Sequence, residues 1–164
     1  MSVLIEEGRV DAMTATRFEG PTLQLIRGAV AENLRRMRTG GPVMAVVKAD
    51  GYGHGALAVA NAAVDAGAEW LGVTDVTEGA LLRQGGIGTP ILAWLHPAGI
   101  DVVGAVRNRI DVAVGSVDEL AELIEDAATA RLVDEGARVR VHLHLDTGMA
   151  RGGCPVRDWD RMLQ

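Results

Sequence analysis

Short apolar runs punctuate the chain: Val43-Met44-Ala45-Val46-Val47, Trp70-Leu71-Gly72-Val73, Pro90-Ile91-Leu92-Ala93-Trp94-Leu95, Asp111-Val112-Ala113-Val114 and Val139-Arg140-Val141-His142-Leu143-His144-Leu145. The first four are almost unbroken in apolar residues, which predicts strands buried on both faces. Their starts lie about 20–28 residues apart, the length of one β–α unit. Between them the apolar spacing changes to a helical one. Leu57, Val59, Ala60, Ala63 and Val64 predict a helix over Ala56–Ala66. Leu120, Leu123, Ile124 and Ala127 predict another within Ser116–Glu135. Upstream, Leu25, Ile26, Ala29, Val30, Leu34 and Met37 predict a helix within Pro21–Arg38. Pro155 opens a last helical pattern, with Val156, Trp159, Met162 and Leu163 on one face.

Punctuation residues agree with these elements. Asp75-Val76-Thr77-Glu78 and Ser116-Val117-Asp118-Glu119 read as capping boxes. Gly67, Gly85 and Gly136 stand where glycines end helices, and His96-Pro97 offers proline at a first helical position. Alternating strands and helices imply an α/β fold with a parallel sheet. A doubly wound sheet and a (β/α)8 barrel compete. The apolar stripe opened by Pro155 runs to Gln164 without a following strand, which favours the first five units of a TIM-type barrel. Residues 1–20 are expected to be loosely ordered and 21–164 to form the partial barrel domain.

Composition narrows the function. The length, 164 residues, fits one domain, and the net charge of −6 argues against a nucleic-acid binder, which needs a basic face. Aromatics at 3% argue against a base-stacking platform. The single cysteine, Cys154, excludes an internal disulfide framework and reads as a small core residue. The N-terminus is acidic where a secretory signal carries positive charge, and the uncharged run Gln84–Ile100 is broken by glycine and proline. A cytoplasmic protein without membrane contact is expected.

Two stretches carry chemistry. Lys48 ends an apolar strand, followed by Ala49-Asp50-Gly51-Tyr52-Gly53-His54-Gly55. C-terminal strand ends form the active face of a barrel. A part-desolvated lysine there can form a Schiff base, and a glycine-rich turn suits a phosphate. In the second stretch His142, His144 and Asp146 alternate, so they share one strand face. They fit either a divalent-ion site or a polar barrel lumen, and the lumen is the simpler reading. Arg151 follows on a turn, where it either meets solvent or forks onto an anionic oxygen. Asp75 and His96 follow the second and third strands and read as caps or turn residues. Trp70, Trp94 and Trp159 read as core.

The stretch Val47-Lys48-Ala49-Asp50-Gly51-Tyr52-Gly53-His54-Gly55 resembles the pyridoxal-phosphate attachment motif of alanine racemases. Leu145-Asp146-Thr147-Gly148-Met149-Ala150-Arg151-Gly152 is similar to the family's second motif, and Ala66–Val73 to its second strand. The resemblance covers about residues 21–164. It implies a barrel followed by a mainly β domain, absent here, in a homodimer that interconverts L- and D-alanine for cell-wall precursors. It further implies that Lys48 holds pyridoxal phosphate and acts as one racemisation base. By the same likeness Tyr52 binds the cofactor phosphate and Arg151 the phenolic oxygen. The family's second base is a tyrosine, and the only tyrosine here is Tyr52. The 164 residues alone are therefore expected to be inactive. His144 stands where many members carry a lysine. Alternatives are a serine-type or broad-specificity racemase, a non-catalytic cofactor binder, and a metal-dependent hydrolase on His142, His144 and Asp146.

Overall fold

The computed structural model describes residues 2–6, 22–132 and 136–164. Their elements run β1 (Ser2–Glu6), β2 (Thr22–Ile26), α1 (Arg27–Met37), β3 (Met44–Val46), α2 (Lys48–Gly53), α3 (Ala56–Asp65) and β4 (Trp70–Val73). There follow α4 (Val76–Gln84), β5 (Ile91–Ala93), α5 (Val102–Asn108), β6 (Asp111–Val114), α6 (Val117–Thr129), β7 (Val141–Leu143), a 3-10 turn (Val156–Asp158) and α7 (Trp159–Met162). Each of the five apolar runs is a strand. They form one sheet in chain order, β3-β4-β5-β6-β7, and the β5–β6 and β6–β7 pairs are parallel. A doubly wound sheet reverses its order at a switch point; among the described residues the five strands follow one another without reversal. Sequential strands with a helix in each crossover are the opening units of a (β/α)8 barrel. Among the described residues no helix is long and apolar enough to cross a membrane.

Two compact units divide the chain, 1–71 and 72–164. In the first, β1 and β2 pair in parallel from Ser2↔Thr22 to Glu6↔Ile26. The helix predicted within Pro21–Arg38 begins only at Arg27, because Thr22-Leu23-Gln24-Leu25 alternates with period two and enters a strand. The expectation of loose order over residues 1–20 falls mostly on 7–20, which lie outside the described residues. One core cluster of this unit is Leu34, Ala63 and Ala68, with Val30, Val43, Ala45 and Ala66 packed on it. Arg38 donates to Gly67 O (2.6 Å) and to Glu69 (3.1 Å), and Glu69 in turn accepts from Val43 N (2.7 Å). β3 departs from two-sided burial: Val46 is 51% exposed. Among the described residues β3 stands at the end of the strand order.

In the second unit Val73, Ile91, Ala93, Val112 and Val114 are fully buried, as two-sided strands require. Both predicted capping boxes form. Asp75 accepts from Glu78 N (3.0 Å) and Ser116 from Glu119 N (3.1 Å). The returning glutamates reach one residue further than the motif prescribes, to Thr74 N (2.8 Å) and Gly115 N (2.7 Å). α5 starts not at Pro97 but at Val102, where Asp101 caps Gly104 N (2.8 Å).

Helix ends share one device. The N–H groups of Ala68, Ile87, Ile110 and Leu132 reach back five residues, to Ala63, Leu82, Ala105 and Ala127. This is the Schellman bond, which folds an apolar residue onto the helix it terminates. The left-handed residue preceding it is Gly67 as predicted, but Gly86 rather than Gly85. At the other two ends it is an arginine, Arg109 (φ 51°) and Arg131 (φ 56°). Thus α6 stops at Thr129, well before Gly136. A second cluster holds the C-terminal segment: Val114, Cys154 and Met162, with Trp159 packed against them. Trp159 also donates to Cys154 O (2.9 Å). The predicted stripe splits here, since Val156 and Leu163 are 68% and 70% exposed.

Candidate active site

Lys48 follows buried Val47 at the C-terminal end of β3 and is half-buried. It is also the only lysine in the chain; fifteen arginines carry the remaining 15 of the 16 Lys and Arg charges. The next four residues, Ala49 to Tyr52, wind left-handed, with φ of 52–59° and ψ of 33–48°. That conformation costs an L-residue roughly 1–2 kcal/mol, and three of the four are not glycine. Hydrogen bonds offset the strain. Gly51 N donates to Val47 O (3.0 Å) and Gly55 N to Asp50 O (3.0 Å). Asp50 Oδ1 accepts from Ala56 N (2.8 Å), and His54 Nδ1 lies 2.9 Å from Gly51 O. Gly51 packs against α3, where a Cβ would meet Val59 Cγ2 at 3.1 Å. Tyr52 is left 75% exposed. The sequence reading expected a permissive glycine turn; the wound, strained turn on Ala49, Asp50 and Tyr52 was not legible.

At the end of β7, His144 N donates to Val114 O (2.8 Å), extending the pairing with β6. The chain then loops out and returns. Cys154 N donates to His144 O (2.7 Å) and Asp146 N to Cys154 O (2.8 Å). The loop between, 147–153, carries Arg151, which is exposed. Asp146 Oδ1 shapes it by accepting from Gly148 N (2.9 Å) and Ala150 N (3.0 Å). These backbone bonds hold the Asp146 carboxyl below its ordinary value. Gly153 closes the loop against backbone: a Cβ there would stand 2.9 Å from Asp146 N and 3.1 Å from His144 Cδ2.

The three alternating polar residues therefore do different things. His142 Nε2 meets Asp111 Oδ2 at 2.9 Å, and Arg140 approaches the same oxygen at 3.4 Å. Asp146 is spent on its own loop, and His144 lies beside Gly153. Among the described residues no three of His, Cys, Asp or Glu gather as a metal site. Asp75 is the cap of α4. His96 turns left-handed (φ 32°) after β5, with Nε2 donating to Ala93 O (3.1 Å). Its Nδ1 is buried without a partner, and burial lowers its pKa. Lys48 and Tyr52 belong to the first unit and Arg151 to the second. Asp50 and Asp111 escaped the sequence reading, because their partners lie 6 and 31 residues away.

The profile of the family described as "Alanine racemase, N-terminal domain" matches residues 26–164. The alanine racemase of Salinispora tropica is 43% identical over 137 residues, covering 82% of this chain and 36% of that protein. For that of Mycolicibacterium smegmatis the figures are 43% over 139 residues, 83% and 34%. The crystal structure of alanine racemase from D-cycloserine-producing Streptomyces lavendulae superposes with a TM-score of 0.72 at 36% identity, over 84% of this chain and 35% of that one. That of Streptomyces coelicolor A3(2) gives 0.70 at 39% identity, over 84% and 36%. This chain spans about a third of the length of these relatives. The profile match and the identity over most of its length show that the chain belongs to the alanine racemase N-terminal domain family.

Proposed function

We propose that this chain is the cofactor-holding part of a pyridoxal-phosphate-dependent alanine racemase, a cytoplasmic homodimer in its complete form. One observation carries the reading. The other fifteen of the 16 Lys and Arg residues are arginine, yet a lysine stands at the strand end that opens a strained turn. Arginine meets every need for positive charge but cannot give up its proton to act as an amine nucleophile. A backbone held in a sparsely populated conformation points to a functional constraint. The donor set fits the group: an amine for its aldehyde, with the hydroxyl of Tyr52 and the guanidinium of Arg151 for its anionic oxygens.

When bound, pyridoxal phosphate supplies an electron sink for the charge left as an amino acid's α-proton departs. Lys48 would hold the group through its Nζ; once a substrate amine displaces it there, the freed Nζ would take the α-proton from one face and return it to that face. Tyr52 would donate its hydroxyl hydrogen to the phosphate, and Arg151 would donate to the phenolic oxygen. Inversion requires a proton donor on the opposite face. Tyr52 is the only tyrosine and is already engaged, so we assign that donor to a residue outside this chain.

The test is covalent. Pyridoxal phosphate added to the full gene product is expected to give a visible absorbance band that borohydride fixes on Lys48, mapped by peptide mass spectrometry. Lys48→Arg keeps the charge and is expected to abolish the adduct. Equal labelling of the Lys48→Arg protein would sink the assignment.

A further inference from the structure

We propose that Asp50 is a positioning residue: its carboxylate, clamped on Ala56 N–H, holds the left-handed turn that carries Lys48 at its head and Tyr52 at its close. The inference rests on the function proposed above for those two side chains.

The clamp joins three parts of the first unit. Behind Lys48, buried Val47 accepts from Gly51 N at 3.0 Å. Ahead of it, Asp50 is bonded twice to the start of α3, through its carbonyl to Gly55 N (3.0 Å) and through Oδ1 to Ala56 N (2.8 Å). The N-cap of α3 is Gly55, which makes no side-chain cap of its own. Asp50 therefore supplies that cap from across the turn. α3 is itself anchored, since Ala60, Ala62 and Ala63 are buried. Released from the clamp, Tyr52 loses a support for a left-handed backbone, a region that L-residues other than Asn and Asp avoid. A turn that relaxes moves Lys48 Nζ relative to the Tyr52 hydroxyl. Misplacement by about 1 Å is enough to cost on the order of a hundredfold in a reaction that depends on alignment.

Four substitutions in the full gene product separate the clamp from mere tolerance of the backbone. Asp50→Asn keeps Oδ1 and suits a left-handed φ. Asp50→Ala loses both. Asp50→Gly loses the acceptor but suits the conformation fully. Ala56→Pro removes the donor at a first helical position, where proline is well accepted, so the helix is kept. Pyridoxal-phosphate affinity, the visible circular dichroism of the bound cofactor and the thermal midpoint are measured together. Asp50→Asn is expected to bind within about threefold of wild type. The other three are expected to bind about tenfold or more weakly, with altered visible dichroism, on the alignment argument above. Wild-type binding by Asp50→Gly or Ala56→Pro overturns the clamp while leaving the assignment of Lys48 intact. A wild-type protein that takes up no cofactor at Lys48 overturns the assignment and the clamp with it. Should Asp50→Ala fail to fold, Ala56→Pro and Asp50→Asn still decide.

Discussion

Replacing Arg83 by alanine removes one guanidinium from four carbonyl groups at once. Arg83, in the last turn of α4, donates from Nε to Asn108 O (2.9 Å) and from Nη2 to Arg109 O (2.9 Å). Its Nη1 serves Ile87 O (2.8 Å) and Thr89 O (2.7 Å). The first two acceptors close α5, whose last carbonyls have no partner within the helix and favour a cation. The other two belong to the loop that leads into β5. Burial lowers the pKa of this guanidinium, which nonetheless stays charged at any working pH. A hydrogen bond to a charged group is worth roughly 1.5–3 kcal/mol net. The four are not additive, because they share one desolvated group, and solvent reaches the Arg109 end. The loss expected for Arg83→Ala is therefore about 2–4 kcal/mol. Arg83→Lys keeps the charge, but one ammonium cannot span four acceptors, so about half that loss is expected. Urea unfolding followed by circular dichroism, with m-values compared, measures both. A loss below about 1 kcal/mol for alanine, or wild-type stability for lysine, refutes the idea that the planar fork ties α4, α5 and the loop together.

Gly153→Ala drives a Cβ to 2.9 Å from Asp146 N and 3.0 Å from Leu145 C, backbone atoms that cannot yield, at φ 90°. A loss of about 2–3 kcal/mol with faster proteolysis of the 147–153 loop is expected; an unchanged urea midpoint would contradict it. For His96, the folded pKa lies below the unfolded value of about 6.5, because burial penalises the charged imidazolium. The folded state binds that proton less well, so stability is full above about pH 6.5 and falls as pH drops toward the folded value. The slope of urea midpoint against pH below about 6.5 is expected to shrink in His96→Asn, and an equal slope in both proteins counts against this. Arg151→Ala is expected to weaken pyridoxal-phosphate binding roughly ten- to a hundredfold, the worth of one charge-assisted bond. His144→Lys is expected to bind normally. The opposite pattern in an absorbance titration means that the second motif is arranged differently.

What the sequence determined by itself is what burial and short-range bonding write into neighbouring residues. Two-faced apolar runs became β4, β5 and β6, because a strand covered on both sides admits no polar position. Asp75–Glu78 and Ser116–Glu119 became caps, because both partners lie within one turn. The motif around Lys48 was readable for the same reason, as was the class of the fold. Tertiary structure decided the rest. Strand order in the sheet, which separates a barrel from a doubly wound fold, is a matter of which strands pair across 19 or more residues. Arg109 and Arg131 occupy left-handed stops where composition points to glycine, since the Schellman bonds to Ala105 and Ala127 offset the strain. Arg83 meets carbonyls up to 26 residues away, and His142 meets Asp111 at a separation of 31. The left-handed turn after Lys48 belongs to this second group. Ala49, Asp50 and Tyr52 do not choose that conformation; the bonds from Asp50 to the first turn of α3 impose it.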